Sequence, residues 1–175
     1  FRQHGRDWKP LVYCWRGGSR SGAMTHILRQ VGWPASQLEG GYKTWRRHVL
    51  DRLEVLPAQF KYKVICGETG SAKTRILEAL SRHGAQVLDL EQIALHKGSV
   101  LGVLMDQSQP SQKYFETQLC DALGRFNPEL PVYIEAESKK IGKLRVPELL
   151  FDTMKFKGEL IRVQASVQAR VDFLL

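Results

Sequence analysis

Residues 67–74 read GETGSAKT. They lie between an apolar, β-prone run, YKVIC at 62–66, and a segment in which Ile76, Leu77 and Leu80 recur at helical spacing. Strand, glycine-containing loop and helix, in that order, let successive backbone N–H groups and the positive end of a helix cradle a phosphate. Gly67, Thr69, Gly70, Ser71, Lys73 and Thr74 fit the phosphate-loop pattern, and Ala72 stands where its second glycine usually does. The N–H groups of residues 69–74 would hold a di- or triphosphate, Lys73 would neutralise its outer oxygens, and Thr74 would reach a Mg2+ ion if one is used. A methyl at position 72 beside the anion points to phosphate binding more than to triphosphate hydrolysis. VYIEAES at 132–138 puts Glu135, Glu137 and Ser138 at the end of another strand, where a carboxylate either organises a metal or its water or simply meets solvent.

Downstream, Gly84 ends the helix. β-prone runs follow at 86–90 and 132–134, with a helix over 111–123 between them, then a strand at 160–163 and a helix from 167 to 175. Strands alternating with helices predict a parallel α/β sheet. Upstream, LVYC at 11–14 predicts a strand. Gly17 and Gly18 follow, then a helix carrying Ala23, Ile27, Leu28 and Val31 that stops at Gly32 and Pro34. Gly40 and Gly41 turn the chain into a second helix over 42–56, and Pro57 and Ala58 look like a linker. The expected organisation is residues 1–56, a linker at 57–60, and residues 61–175.

Cys14 ends the first strand, and CWRGGSRS brings the chain from it to the start of a helix. Backbone N–H groups around Ser19, the helix end, and the guanidinium groups of Arg16 and Arg20 would stabilise a thiolate there. Gly17 and Gly18 let the backbone approach a bound oxyanion or persulfide with no Cβ in the way. The alternative is a buried structural cysteine at a strand end. Of the tryptophans Trp8, Trp15, Trp33 and Trp45, most are expected in the core, with Trp15 walling the substrate side of the cysteine loop.

The 175 residues carry 43% hydrophobic and 25% charged side chains, ordinary for a globular chain. No apolar run approaches the ~20 residues needed to cross a bilayer. Twenty-six Lys and Arg against 18 Asp and Glu give a net charge of +8, which favours anionic partners such as phosphates or RNA. Three cysteines form neither a disulfide framework nor a zinc pattern, so a reducing cytoplasm is the expected compartment. With no initiating Met and a motif as early as residue 11, the sequence reads as an excised piece of a longer protein.

CWRGGSRS followed by LEGGYKTWRR at 38–47 resembles the active-site loop and closing segment of a rhodanese-type sulfurtransferase domain, represented here by its C-terminal part. Such a loop joined to GETGSAKT, with HKGS at 96–99, SQKYFE at 111–116 and EAESKKIG at 135–142 ahead of Val146 and Pro147, looks like the tRNA 2-selenouridine synthases. The resemblance implies a rhodanese-like portion followed by a P-loop NTPase-like parallel α/β domain, neither complete. It implies an enzyme that replaces sulfur by selenium in wobble 2-thiouridine of tRNA. Selenophosphate and geranyl diphosphate would be its substrates and S-geranyl-2-thiouridine its intermediate, with no tightly bound cofactor. Cys14 would then serve selenium transfer as nucleophile or carrier, and the loop around Lys73 and Thr74 would take a diphosphate or a nucleotide. His96, Ser99, Gln112 and Lys113 match the family pattern without a role that their chemistry supplies. Arg170 stands where the family carries an arginine after a strand, placed to close over phosphates. Lys113, with Lys139, Lys140, Lys143 and Arg145, would contact tRNA phosphates or form ordinary solvated faces. The rival readings are a simple sulfurtransferase or arsenate- or phosphatase-like enzyme using Cys14, a nucleotide-dependent kinase or switch module using Lys73 and Glu135, and an RNA-binding module.

Overall fold

Apolar positions in YKVIC and VYIE bury Tyr62, Val64 and Ile65 on one strand and Val132 and Ile134 on its neighbour, and these form the centre of the larger unit. The computed structural model describes residues 4, 5, 7–16, 18–96 and 108–174. Gly17 and Ser99 lie outside them. The chain divides into two compact units, Phe1–Leu50 and Asp51–Leu175.

The first unit contains β1 (Leu11–Val12), α1 (Ser19–Val31), β2 (Ser36–Gln37) and most of α2 (Gly41–Leu53). β1 and β2 pair in parallel, Leu11 with Ser36 and Val12 with Gln37. Gly32 closes α1 at φ 105°, a left-handed conformation that costs glycine little. The expected strand at 11–14 is two residues shorter, because the backbone leaves the ladder before Cys14 to enter the loop. None of the four tryptophans is buried. Trp8 and Trp33 meet edge to face with ring centroids 5.5 Å apart, and Trp15 stacks on Tyr42 at 4.9 Å while remaining exposed.

The second unit is a four-stranded, all-parallel sheet in the order β4-β5-β3-β8, formed by β3 (Tyr62–Cys66), β4 (Gln86–Leu88), β5 (Val132–Glu135) and β8 (Glu159–Arg162). α3 (Lys73–Arg82) packs on β4 and β5, and α6 (Glu148–Lys157) on β3. α5 (Gln112–Arg125) buries Phe115, Leu119, Cys120 and Leu123, one helical face. The expected strand at 86–90 is cut short because Asp89 caps a further helix, α4 (Leu90–Ala94), its side chain accepting from the Gln92 N–H at 2.8 Å. The second helix stops at Leu53 rather than 56. Leu56–Gln59 instead form a 3₁₀ turn that buries Leu56 and Pro57, so the stretch expected as linker contributes to packing against α5 and α6. An antiparallel hairpin, β6 (Lys140–Ile141) and β7 (Leu144–Arg145), and α6 were not expected. The chain finishes with α7 (Val167–Leu174). Among the described residues, no helix is long and apolar enough to cross a membrane.

Candidate functional site

The parallel register decides what surrounds residues 67–74. Ile65 pairs with Glu135, and Cys66 pairs with Arg162 on the other side, so the loop leaves the central strand with the end of β5 on one flank and the chain beyond β8 on the other. This is the crevice at strand C-termini where open parallel sheets bind ligands. Gly67 is forced by that flank, since a Cβ would sit 2.7 Å from the Val163 carbonyl oxygen. A Cβ at Gly70, where φ is 82°, would meet Arg170 at 3.0 Å. Ala72 also adopts the left-handed region, φ 59° and ψ 27°, immediately before Lys73 opens α3. The missing glycine therefore carries backbone strain of about 1–2 kcal/mol as well as a methyl.

Lys73 Nζ donates to the carbonyls of Gly67 (3.0 Å) and Glu68 (3.3 Å) and lies 3.4 Å from Glu135 Oε1, both side chains being largely buried. Thr74 Oγ1 donates to Glu135 Oε2 at 3.4 Å. Ser71 turns inward: it is buried, with N–H and hydroxyl both directed at the Glu68 carbonyl. Arg170, from α7, lies 2.7 Å from Glu68 Oε2 and donates to the Thr69 carbonyl at 3.4 Å, while its buried Nε finds no partner among the described residues. A cleft of about 840 Å3 opens between the loop and the segment after β8, lined in part by Cys66, Gly67, Val163 and Arg170.

Behind Lys73 stands a set of carboxylates. Burial raises the Glu135 pKa against the opposing pull of Lys73 and Thr74. Burial, followed by repulsion from Glu91 and Glu135, pushes Glu137 up to about 7, and Glu137 shares a hydrogen bond with Glu91. Glu91 was missed in the sequence because it belongs to α4, a five-residue helix whose first apolar residue, Leu90, reads as the end of the preceding strand-like run. Ser138 Oγ donates within its own turn, to the Lys140 carbonyl.

The other family-pattern residues do not converge on the loop in any contact of the described structure. His96 is buried, and its Nδ1 has no partner among the described residues. Gln112 clamps the hairpin, accepting from the Arg145 N–H (2.9 Å) and donating to the Arg145 carbonyl (2.8 Å), and Gln109 does the same at Ile141 and Lys143. Lys113 is exposed on α5. On the hairpin Ile141 and Leu144 point inward, leaving Lys140, Lys143 and Arg145 exposed.

In the first unit Cys14 leaves β1 and meets the N-terminus of α1. Ser21 Oγ lies 3.4 Å from its Sγ. Hydrogen bonding lowers the thiol from 9.0 to about 7: the Ser21 hydroxyl contributes most and the Ser21 N–H next, partial desolvation opposes them, and the backbone at Gly18 and Arg16 adds smaller lowering contributions. Arg16, Ser19 and Arg20 are exposed, and the two guanidinium charges are not among the causes of the shift. The expected electropositive cradle is thus built from backbone and a serine. Ser21 was within reach of the sequence, as the last residue of CWRGGSRS, but its position became informative only once the loop had folded back.

Sheet, loop and crevice define a P-loop-type parallel α/β domain. The family model described as the tRNA 2-selenouridine synthase AAA domain matches residues 60–175, and the chain belongs to the tRNA 2-selenouridine synthase family. It is 39% identical to the tRNA 2-selenouridine synthase of Alcanivorax borkumensis over 94% of this chain and 44% of that protein. The corresponding figures for Hydrogenovibrio crunogenus are 36%, 92% and 45%, and for Aeromonas salmonicida 40%, 82% and 38%. The chain thus spans less than half the length of these relatives. No solved structure matches it.

Proposed function

We propose that this chain belongs to a tRNA-modifying transferase that converts wobble 2-thiouridine to 2-selenouridine through an S-geranyl intermediate, with Cys14 and the Lys73 loop serving separate steps. The observation that carries the reading is similarity to tRNA 2-selenouridine synthases across both units, at 39% identity over 94% of the chain in one case. The phosphate loop suits the diphosphate of geranyl diphosphate. Transfer forms a bond from the thiouridine sulfur to the geranyl C1 and breaks the C1–O bond, and Lys73 and Arg170 would neutralise the charge that collects on the departing diphosphate. Thr74 and Glu135 supply hard oxygen donors of the kind Mg2+ takes alongside substrate phosphate. Geranylation makes the sulfur a better leaving group, and Cys14, in a rhodanese-like loop, would handle selenium delivered from selenophosphate. The exposed Lys140, Lys143 and Arg145 suit tRNA phosphates. A cytoplasmic location goes with such a substrate.

Nucleoside mass spectrometry of 2-thiouridine tRNA incubated with the full-length parent, geranyl diphosphate and selenophosphate tests the reading. Geranylated and selenium-containing wobble uridine are expected. Lys73→Ala should abolish the geranylated product and Cys14→Ser should block selenium incorporation. Equal loss of both products in both variants would sink the division of labour. Unmodified thiouridine from the folded parent would favour a rhodanese-type sulfurtransferase, tested by thiosulfate-to-cyanide transfer, or a P-loop kinase, tested by Mg2+-dependent ATP turnover.

A further inference from the structure

We propose that Gln37 is a positioning residue for Cys14, directing the Ser21 hydroxyl proton onto the sulfur. The proposal rests on the reading of Cys14 as a reactive thiolate. It begins with a competition. Ser21 Oγ carries one hydrogen and, among the described residues, has two acceptors in reach, the Gly18 carbonyl at 3.0 Å and Cys14 Sγ at 3.4 Å. Distance alone favours the carbonyl.

That carbonyl is already supplied, however. The Gly22 N–H donates to it at 2.7 Å and Gln37 Nε2 at 2.8 Å, which fills both lone pairs of an sp2 oxygen. Gln37 Nε2 also lies 3.2 Å from Ser21 Oγ, so its second hydrogen occupies an acceptor position of the hydroxyl. With its first acceptor saturated and its own oxygen receiving a proton, Ser21 has Cys14 as the remaining destination for its hydrogen. The orientation of the Gln37 amide follows from the same contacts: a carbonyl accepts only, so the nitrogen must face Gly18.

Two glycines make room for this carboxamide. A Cβ on Gly18 would come 2.7 Å from Gln37 Nε2, and one on Gly22 would come 3.2 Å from Gln37 Oε1. Gly22 sits inside α1, where glycine costs about 0.5–1 kcal/mol relative to alanine. The relay gives that cost a reason. β1–β2 pairing delivers Gln37 opposite Val12, two residues before Cys14.

The test is the pH dependence of iodoacetamide alkylation of the 175-residue chain, read at Cys14 by peptide mass spectrometry, with Cys66 and Cys120 as internal references and thermal unfolding as a check on folding. Gln37→Met removes the donors while keeping the length. It should raise the Cys14 midpoint by about half a unit. Gln37→Glu, which draws the Ser21 proton to its carboxylate, should raise it as well. Ser21→Ala should raise it at least as far, and adding Gln37→Met to Ser21→Ala should then change nothing. An unmoved midpoint in both Gln37 variants, or a full additional shift in the double variant, overturns the relay. Because alkylation needs no substrate, a shifted midpoint with undiminished selenium incorporation supports the relay and counts instead against the role of Cys14 in the reaction.

Discussion

The α-carbon of Gly41 is pressed against the Cys14 backbone, so close that a Cβ would lie 2.2 Å from the Cys14 carbonyl oxygen. The Tyr42 N–H donates to that same oxygen at 2.9 Å, and Gly41 has φ 63°. The start of α2 therefore fixes the backbone of Cys14. Gly41→Ala adds both a clash and left-handed strain, which together should exceed 2 kcal/mol. The expected outcome is a lower unfolding temperature and slower alkylation of Cys14 at pH 7, measured together; Gly32→Ala, with nothing within 4 Å of its Cβ, should leave Cys14 alkylation unchanged.

Lys73 should govern anion capture. Pyrophosphate titrated calorimetrically into the chain should bind at least tenfold more weakly to Lys73→Ala, the usual worth of a charge-assisted hydrogen bond. Equal affinity in the two proteins would remove Lys73 from the proposed site.

Position 72 invites a stabilising change. Ala72→Gly relieves left-handed strain but loosens the unfolded chain, leaving a net gain of about 0.5–1 kcal/mol and a rise of about 2 °C in Tm. A fall in Tm would mean that the methyl packs usefully.

The Glu137 pKa gives a pH dependence. Its carboxyl is raised from 4.5 to about 7 in the folded chain, so the native state holds more protons than the unfolded state between those values. Stability then falls as pH rises through that window. Glu137→Gln should be the more stable protein at pH 8, by about 3 °C in Tm, and the advantage should shrink as pH falls towards 4.5. A pH-independent difference would assign the effect to packing.

Much of this was legible in the sequence because it is local. The strand at Tyr62–Cys66 and the loop-to-helix turn at Lys73 follow from hydrophobic spacing and a few glycines, and the observed bounds agree. Gln86–Leu88 was read two residues too long, since Asp89 caps a helix that a strand-like apolar pattern conceals. What stayed hidden depends on residues far apart in the chain. Gln37 reaches Ser21 only through the β1–β2 pairing, and Glu91 approaches Glu137 only after the sheet has formed. The expectation that most tryptophans are core residues failed because aromatic size suggests burial, while Trp8 and Trp33 are only half-buried and Trp45 is exposed.

Both cations over the phosphate loop have partners within the chain: Lys73 holds two loop carbonyls and Glu135, and Arg170 holds Glu68 and the Thr69 carbonyl. Apart from the buried Arg170 Nε, which has no partner among the described residues, an arriving anion must exchange these contacts. A singly charged ligand offers little more than the carboxylates it displaces, whereas a group with three or more negative charges can outbid both at once. On the proposed reading the loop would select by charge, favouring diphosphates over the lone phosphates and carboxylates that any cell holds in excess.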